Sequence, residues 1–153
     1  MKLVKDILTK QLSHFNSVDV NDKVIDAIAL MTREDLNYVI VTEKGKYVGI
    51  LSEKDYTRKV ILAGKESKKT KVGEIMSADI PVVNIADTTD TCRELMHAFK
   101  ISFLPVFDEF DFTGVISLSD LLKEAVDEHM KLVSEKKAFG GDQKNNNFPH
   151  YSL

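Results

Sequence analysis

Two aspartates in matching surroundings have the greatest chemical reach in this chain. Asp55 closes the run Gly49-Ile50-Leu51-Ser52-Glu53-Lys54-Asp55, and Asp120 closes Gly114-Val115-Ile116-Ser117-Leu118-Ser119-Asp120. An ionised carboxylate has two acceptor oxygens, enough to take both protons of a vicinal diol such as that of a ribose. Each aspartate falls in the first turn of an expected helix, where backbone N–H groups without intrahelical partners favour phosphate oxygens. Ser52, Ser117 and Ser119 add hydroxyls in the same turns. The spacing has a second reading. Ser-x-x-Asp ahead of an amphipathic helix is nearly a capping box, and an aspartate engaged in the cap is less free for a sugar.

The two runs differ one turn beyond the aspartate. Arg58 and Lys59 lie there after Asp55, whereas Lys123 and Glu124 occupy the matching places after Asp120. The Asp55 site is therefore expected to take the more highly charged ligand, with Arg58 as its main phosphate clamp; the alternative for Arg58 is a solvated helix face. Loss of such a charge-assisted contact costs about 1.5–3 kcal/mol, on the order of tenfold or more in affinity.

Other chemistries find no support. Gly64-Lys65 lacks the earlier glycine and the following Ser or Thr of a P-loop. Cys92, the single cysteine, falls on an apolar helical stripe with Leu95, Met96 and Phe99 and reads as a small core residue. No histidines pair at metal-ligand spacing, so neither a metal nor a catalytic site is expected; of the four, only His14 is placed to touch a base. A net charge of -3 argues against general attraction to nucleic acid. The charged N-terminus, with no long apolar run, reads as cytoplasmic and without a membrane anchor.

Both carboxylates must be positioned by repeated elements, because the chain repeats itself. Val18 to Asp22 aligns with Val83 to Asp87 at an offset of 65, which then carries Leu30-Met31 onto Leu95-Met96, Gly49 onto Gly114 and Asp55 onto Asp120. A lead-in, Val4-Lys5-Asp6-Ile7-Leu8 against Val72-Gly73-Glu74-Ile75-Met76, recurs at an offset of 68. Periodicity predicts strands over 18–20, 38–42 and 47–51 and helices over 22–34 and 52–64 in the first unit. The second is predicted to have strands over 82–85, 103–107 and 112–116 and helices over 87–100 and 117–136. The organisation expected is unit one over 2–64, a charged linker over 65–71, unit two over 72–136 and a flexible tail over 137–153. Such short apolar strands need cover on both faces, so two mixed α/β units, each β-α-β-β-α, should pack sheet to sheet as one pseudo-symmetric body.

Two units of this order, each ending in Gly-apolar-apolar-Ser-x-x-Asp, resemble a tandem pair of CBS (cystathionine β-synthase) domains, the Bateman module, over residues 2–128. Ile101-Ser102-Phe103-Leu104-Pro105-Val106 and Asp55-Tyr56-Thr57-Arg58-Lys59 also fit, the latter being familiar from small stand-alone members. The resemblance implies an adenine-nucleotide ligand, AMP first, with ADP, ATP or NAD as alternatives, held between the units. It favours the ribose reading of both aspartates. It also implies that each ribose site is completed by the other unit: Asp79-Ile80-Pro81-Val82 with Ile101 would frame adenine near Asp55, and Ser13-His14-Phe15-Asn16 with Leu36 near Asp120. Further implications are a homodimer formed through the helices, no catalysis, and a regulated protein acting in trans. A dimerising module with vacant sites is the competing reading, and an unrecognised enzyme is a third, for which the sequence offers no nucleophile, metal site or acid/base pair.

Overall fold

A computed structural model of the chain describes residues 1–8 and 16–140. Each repeat forms a three-stranded mixed sheet. In the first, β1 (Ser17–Asp19) lies parallel to β2 (Tyr38–Glu43), which turns back antiparallel into β3 (Lys46–Ser52). In the second, β4 (Val83–Asn84), β5 (Phe103–Asp108) and β6 (Asp111–Ser117) repeat that order. A parallel pair needs a crossover. It is supplied by α2 (Val24–Arg33) and α5 (Thr89–Phe99).

The repeat offset holds down to single pairings. Val41 faces Gly49 and Val106 faces Gly114, and in both hairpins the register shifts at the next residue. Lys44 and Gly45 turn the first hairpin with φ of 50° and 76°, the left-handed pair that a two-residue turn between twisted strands requires.

Beyond β3 and β6 the halves diverge. Ser52 and Ser117 cap α3 (Glu53–Tyr56) and α6 (Leu118–Phe139), and both caps are complete capping boxes with the aspartate as the third helical residue. The helix expected over 52–64 is not uniform: after α3 the chain widens into a π-helical stretch, Thr57–Ile61, in which the Leu62 N–H donates to the Thr57 carbonyl at 3.0 Å. The β-branched Thr57, Val60 and Ile61 crowd a tight turn, and the Thr57 hydroxyl donates to the Glu53 carbonyl. The widened turn buries Val60 completely.

The lead-in helices, α1 (Val4–Leu8) and α4 (Val72–Ile75), are exchanged between the halves. Val4 and Ile7 pack with Val83, Cys92, Leu104 and Ile116 of the second unit, while Val72 and Ile75 pack with Val18, Val24, Val39 and Leu51 of the first. The backbone repeats the exchange: Val4 N–H donates to Asp87 and Val72 N–H to Asp22, each at 2.9 Å. Burying such side chains contributes roughly 1.5–3 kcal/mol apiece. A third cluster, Ile40, Ile50, Phe103 and Val115, joins the inner faces of the two sheets. The expectation of sheet-to-sheet packing holds.

Cys92 and Met96 are buried as the apolar stripe of α5 predicts, but Phe99, placed on that stripe by periodicity, is 56% exposed. The reason is positional: α5 ends there, and Lys100 takes a left-handed conformation, φ 53°, that turns the chain toward β5. Along α6, Leu118, Leu122, Val126 and Met130 are exposed at four-residue intervals, an apolar stripe on one helix face.

Candidate functional site

Asp55 and Asp120 begin from the same local geometry. One carboxylate oxygen of Asp55, Oδ2, accepts from the Ser52 N–H and from Ser52 Oγ, both at 3.0 Å, and the Asp55 N–H donates back to Ser52 Oγ at 3.1 Å. Asp120 Oδ2 accepts from the Ser117 N–H and Oγ, both at 2.8 Å, and its N–H returns to Ser117 Oγ at 3.2 Å. The capping reading holds for both aspartates, and each box uses a single carboxylate oxygen, so the other lies outside the cap.

The second oxygen separates the two sites. Asp55 Oδ1 accepts from Ser77 Oγ at 2.8 Å and pairs with the Lys59 ammonium at 3.0 Å. Lys59 Nζ also donates to the Ile75 carbonyl at 3.1 Å and to Ser77 Oγ at 3.3 Å. These contacts are possible because the segment after α4 runs along β3. Ile50 N–H donates to the Ser77 carbonyl at 2.9 Å and Ser77 N–H to Ile50 at 2.8 Å, at the level where Gly49 leaves room. Asp55 is thereby closed in from both sides, with the residue 8% exposed.

Oδ1 of Asp120 has no hydrogen-bond partner among the described residues. The residue matching Lys59 is Glu124, which cannot pair with Asp120 and instead binds Lys2. Asp120 lies near Tyr38 of the first unit. Burial, and secondarily the Asp120 charge, push the Tyr38 phenol up to about 12. Tyr38 is itself packed on Phe103 with ring centroids 4.8 Å apart.

The remaining residues singled out in the sequence are scattered more widely. Ser52 and Ile101 line one 220 Å³ cavity between the units, together with Lys54, Lys100 and Phe103. Leu36 and Ile101 hold equivalent places, their N–H groups donating to Met31 at 2.9 Å and Met96 at 3.0 Å. Ile80 packs in the sheet-to-sheet cluster and Pro81 is half-buried, but Val82 is exposed and borders a separate depression with Phe107 and Phe110. Arg58 is exposed and has no ion-pair partner among the described residues, and Ser119 is exposed. Ser13, His14 and Phe15 lie outside the described residues, as does the tail beyond Gly140; Asn16 is half-buried, with its carbonyl accepting from Ile40 N–H at 3.1 Å.

Sequence reasoning missed Ser77 and Tyr38. Ser77 stands just beyond the repeated lead-in, but nothing in its surroundings marks a contact made 22 positions away. Tyr38 is the counterpart of Phe103 and reads from the sequence only as an apolar strand position. Burial also pushes the Cys92 thiol up to about 11, with Asp87 adding to the rise, as suits a packed core residue. Among the described residues no three His, Cys, Asp or Glu side chains group closely enough to hold a metal ion, and no helix is long and apolar enough to cross a membrane.

The family model for the CBS domain matches this chain twice, over residues 4–61 and 72–127. The CBS domain-containing protein CBSX3, mitochondrial, of Arabidopsis thaliana is 32% identical over 124 residues; the match spans 78% of this chain and 60% of that protein's length. A crystal structure described as CBS domain, NE2398, superimposes with a TM-score of 0.77 at 32% identity, over 82% of this chain and 99% of the other. A CBS domain pair crystallised with 5′-methylthioadenosine and S-adenosyl-L-methionine shares the fold, with a TM-score of 0.69 at 24% identity over 84% of this chain and 98% of its own.

Proposed function

This chain belongs to the CBS-domain family and carries two copies in tandem, and from that premise we propose that it is a regulatory module that binds an adenine nucleotide between its halves and signals occupancy to a separate protein. The observation that carries the reading is the pair of aspartates at equivalent helix entrances, each with one oxygen fixed by a serine cap and the other oriented away from it. A carboxylate held by one oxygen is pre-oriented, so a ribose diol loses less on binding than it would to a mobile side chain. The crystallisation of one fold neighbour with 5′-methylthioadenosine and S-adenosyl-L-methionine, two adenosyl compounds, supports this reading.

In this reading the ribose approaches Asp55 or Asp120, with Ile101 or Leu36 against the base. Arg58 supplies phosphate contact at the first site, and His14 and Phe15 would complete the second. AMP is the leading ligand, with ADP, ATP and NAD as alternatives. The module has no catalysis of its own, acts in the cytoplasm and pairs with a second copy through the exposed α6 stripe.

The test is a thermal-shift panel of AMP, ADP, ATP and NAD on the wild type, Asp55→Asn and Asp120→Asn. A ligand bound only by the folded form raises Tm, by about 2.7 kcal/mol of stabilisation at a hundredfold excess over Kd. At least one nucleotide should stabilise the wild type, and the shift should shrink in one or both variants relative to each variant's own baseline. If no compound moves the wild-type Tm, the dimerising module with vacant sites is the better account, and the α6 stripe is what favours it.

A further inference from the structure

We propose that the cavity between the units beside Asn37 and Ser102 is a phosphate-binding subsite, with Lys54 of the first unit and Lys100 of the second as its cations. The phosphate is either that of a nucleotide or free inorganic phosphate. In the first case the inference rests on the nucleotide-binding reading above; in the second it is independent of it.

The cavity measures 220 Å³, and both units supply its described polar lining: Asn37, Ser52, Glu53 and Lys54 from the first, Lys100 and Ser102 from the second. Pockets for whole ligands run to about 300–1,000 Å³, so this space takes one group of a ligand rather than all of it. Lys54 crosses the boundary between the units, its ammonium donating to the Lys100 carbonyl at 3.3 Å. That bond uses one of three N–H donors. Neither Lys54 nor Lys100 has an ion-pair partner among the described residues. Ser102 Oγ accepts from Asn37 Nδ2 at 3.1 Å, which leaves the serine its own O–H and the amide its second N–H.

A small anion rich in acceptor oxygens matches this set of donors, and phosphate is such an anion. Glu53 is the single acid in the described lining, so two lysines leave it net positive. Ser52 joins the subsite to the first aspartate, since the residue that lines the cavity also donates to Asp55 Oδ2 at 3.0 Å. A ribose on Asp55 and a phosphate in this space are thus neighbours across one hydrogen-bonded pair. Arg58, exposed one turn beyond Lys54, lies outside the lining. The competing role for Lys54 is a cap on the C-terminal end of α5, which its bond to Lys100 also fits. The two roles differ at Glu53: a cap is indifferent to that charge, whereas a bound anion is repelled by it.

The experiment follows the backbone amides of the full chain by NMR as inorganic phosphate, AMP or adenosine is added, in the wild type, Lys54→Met, Lys100→Met, Lys54→Arg and Glu53→Gln. A phosphorylated probe should shift the Lys100 and Ser102 amides. Lys54→Met and Lys100→Met should each weaken that probe, read at those amides, on the order of tenfold, the size of one charge-assisted contact, and for AMP the loss should exceed any loss of adenosine. Lys54→Arg should retain the binding and Glu53→Gln should strengthen it. A response to AMP but not to phosphate assigns the subsite to the nucleotide. A response to phosphate with neither AMP nor adenosine bound assigns it to the free ion, and the nucleotide reading then fails by itself. If AMP binds with an affinity that the lysine variants leave unchanged, or weakens only in step with adenosine, the subsite is overturned and nucleotide binding stands. No effect of Glu53→Gln on any probe, with a lowered Tm in Lys54→Met, would leave Lys54 as a cap and overturn it equally.

Discussion

Asn37 and Ser102 occupy the same position in successive repeats, and they touch: Asn37 Nδ2 donates to Ser102 Oγ at 3.1 Å. Equivalent residues can meet only on the axis that relates their units, so this bond marks one end of the pseudo-twofold. Tyr38 packing on Phe103, and Tyr47 stacked on Phe112 with centroids 4.7 Å apart, are further such pairs, the last at the hairpin end of the sheets. The axis runs the length of the sheet interface, and both Ser-capped helices start beside Asn37 and Ser102: Glu53 N–H donates to the Asn37 carbonyl at 3.0 Å and Leu118 N–H to the Ser102 carbonyl at 2.8 Å.

At the hairpin end the symmetry breaks by one atom. Tyr47 has a hydroxyl where Phe112 has none, and that oxygen is buried without a partner among the described residues. A buried unpaired hydroxyl costs about 1–3 kcal/mol, whereas the ring contributes its stacking regardless. Tyr47→Phe should therefore stabilise the protein by about 1 kcal/mol. The urea midpoint, compared with wild type, reads this directly; a lower midpoint would mean that the hydroxyl is bonded.

Exchange of the lead-in helices makes an unusual division of damage. Ile7→Ala and Ile75→Ala each remove a buried side chain and should each cost about 2–5 kcal/mol. The location should be crossed. Ile7→Ala, near the N-terminus, is expected to speed amide exchange most in β4 to β6, and Ile75→Ala most in β1 to β3. Exchange confined to the half in which each residue lies in sequence would contradict the packing.

Much of this was legible in the sequence for a physical reason. The offset of 65 preserves the apolar runs of both hairpins and the Ser-x-x-Asp caps, and strand, turn and cap chemistry are all local. The lead-in recurs visibly as well, yet its pattern of Val4 and Ile7 says only that one face is buried, and which unit buries it is a long-range fact. The same limit hid Ser77. Lys59 is readable as a cation near a phosphate site, but its pairing with Asp55 depends on the segment after α4 lying along β3. The π-helical stretch was illegible because a widened turn leaves the apolar spacing around Val60 close to helical.

Gly49 is the residue that admits that segment. A Cβ there would sit 2.7 Å from the Ser77 carbonyl oxygen, a backbone atom with no rotamer to escape through. Gly49→Ala should therefore push the strip at Ser77 away from β3, breaking the paired bonds to Ile50, at a cost of about 1–3 kcal/mol. Hydrogen exchange checks the location, since the amides of Ile50 and Ser77 should lose protection before the rest of the sheet. Unchanged protection at both would show that the close approach is relieved elsewhere.

Tyr38 reports on Asp120 through its ionisation. Its phenol is held at about 12, by burial first and the Asp120 charge second, against about 10 in an unfolded chain. The folded protein therefore keeps the proton over a range in which the unfolded one loses it. The stability linked to Tyr38 is complete below about pH 10 and disappears as pH rises through about 12. Tyr47, also raised to about 12 but by burial alone, titrates in the same range, so isotope-edited NMR of the individual rings is needed to separate them. Asp120→Asn should lower the Tyr38 value and leave Tyr47 where it is, because only Tyr38 feels that carboxylate. Burial should still hold Tyr38 above 10. If Asp120→Asn moved neither ring, the aspartate charge would not reach Tyr38 across the two units.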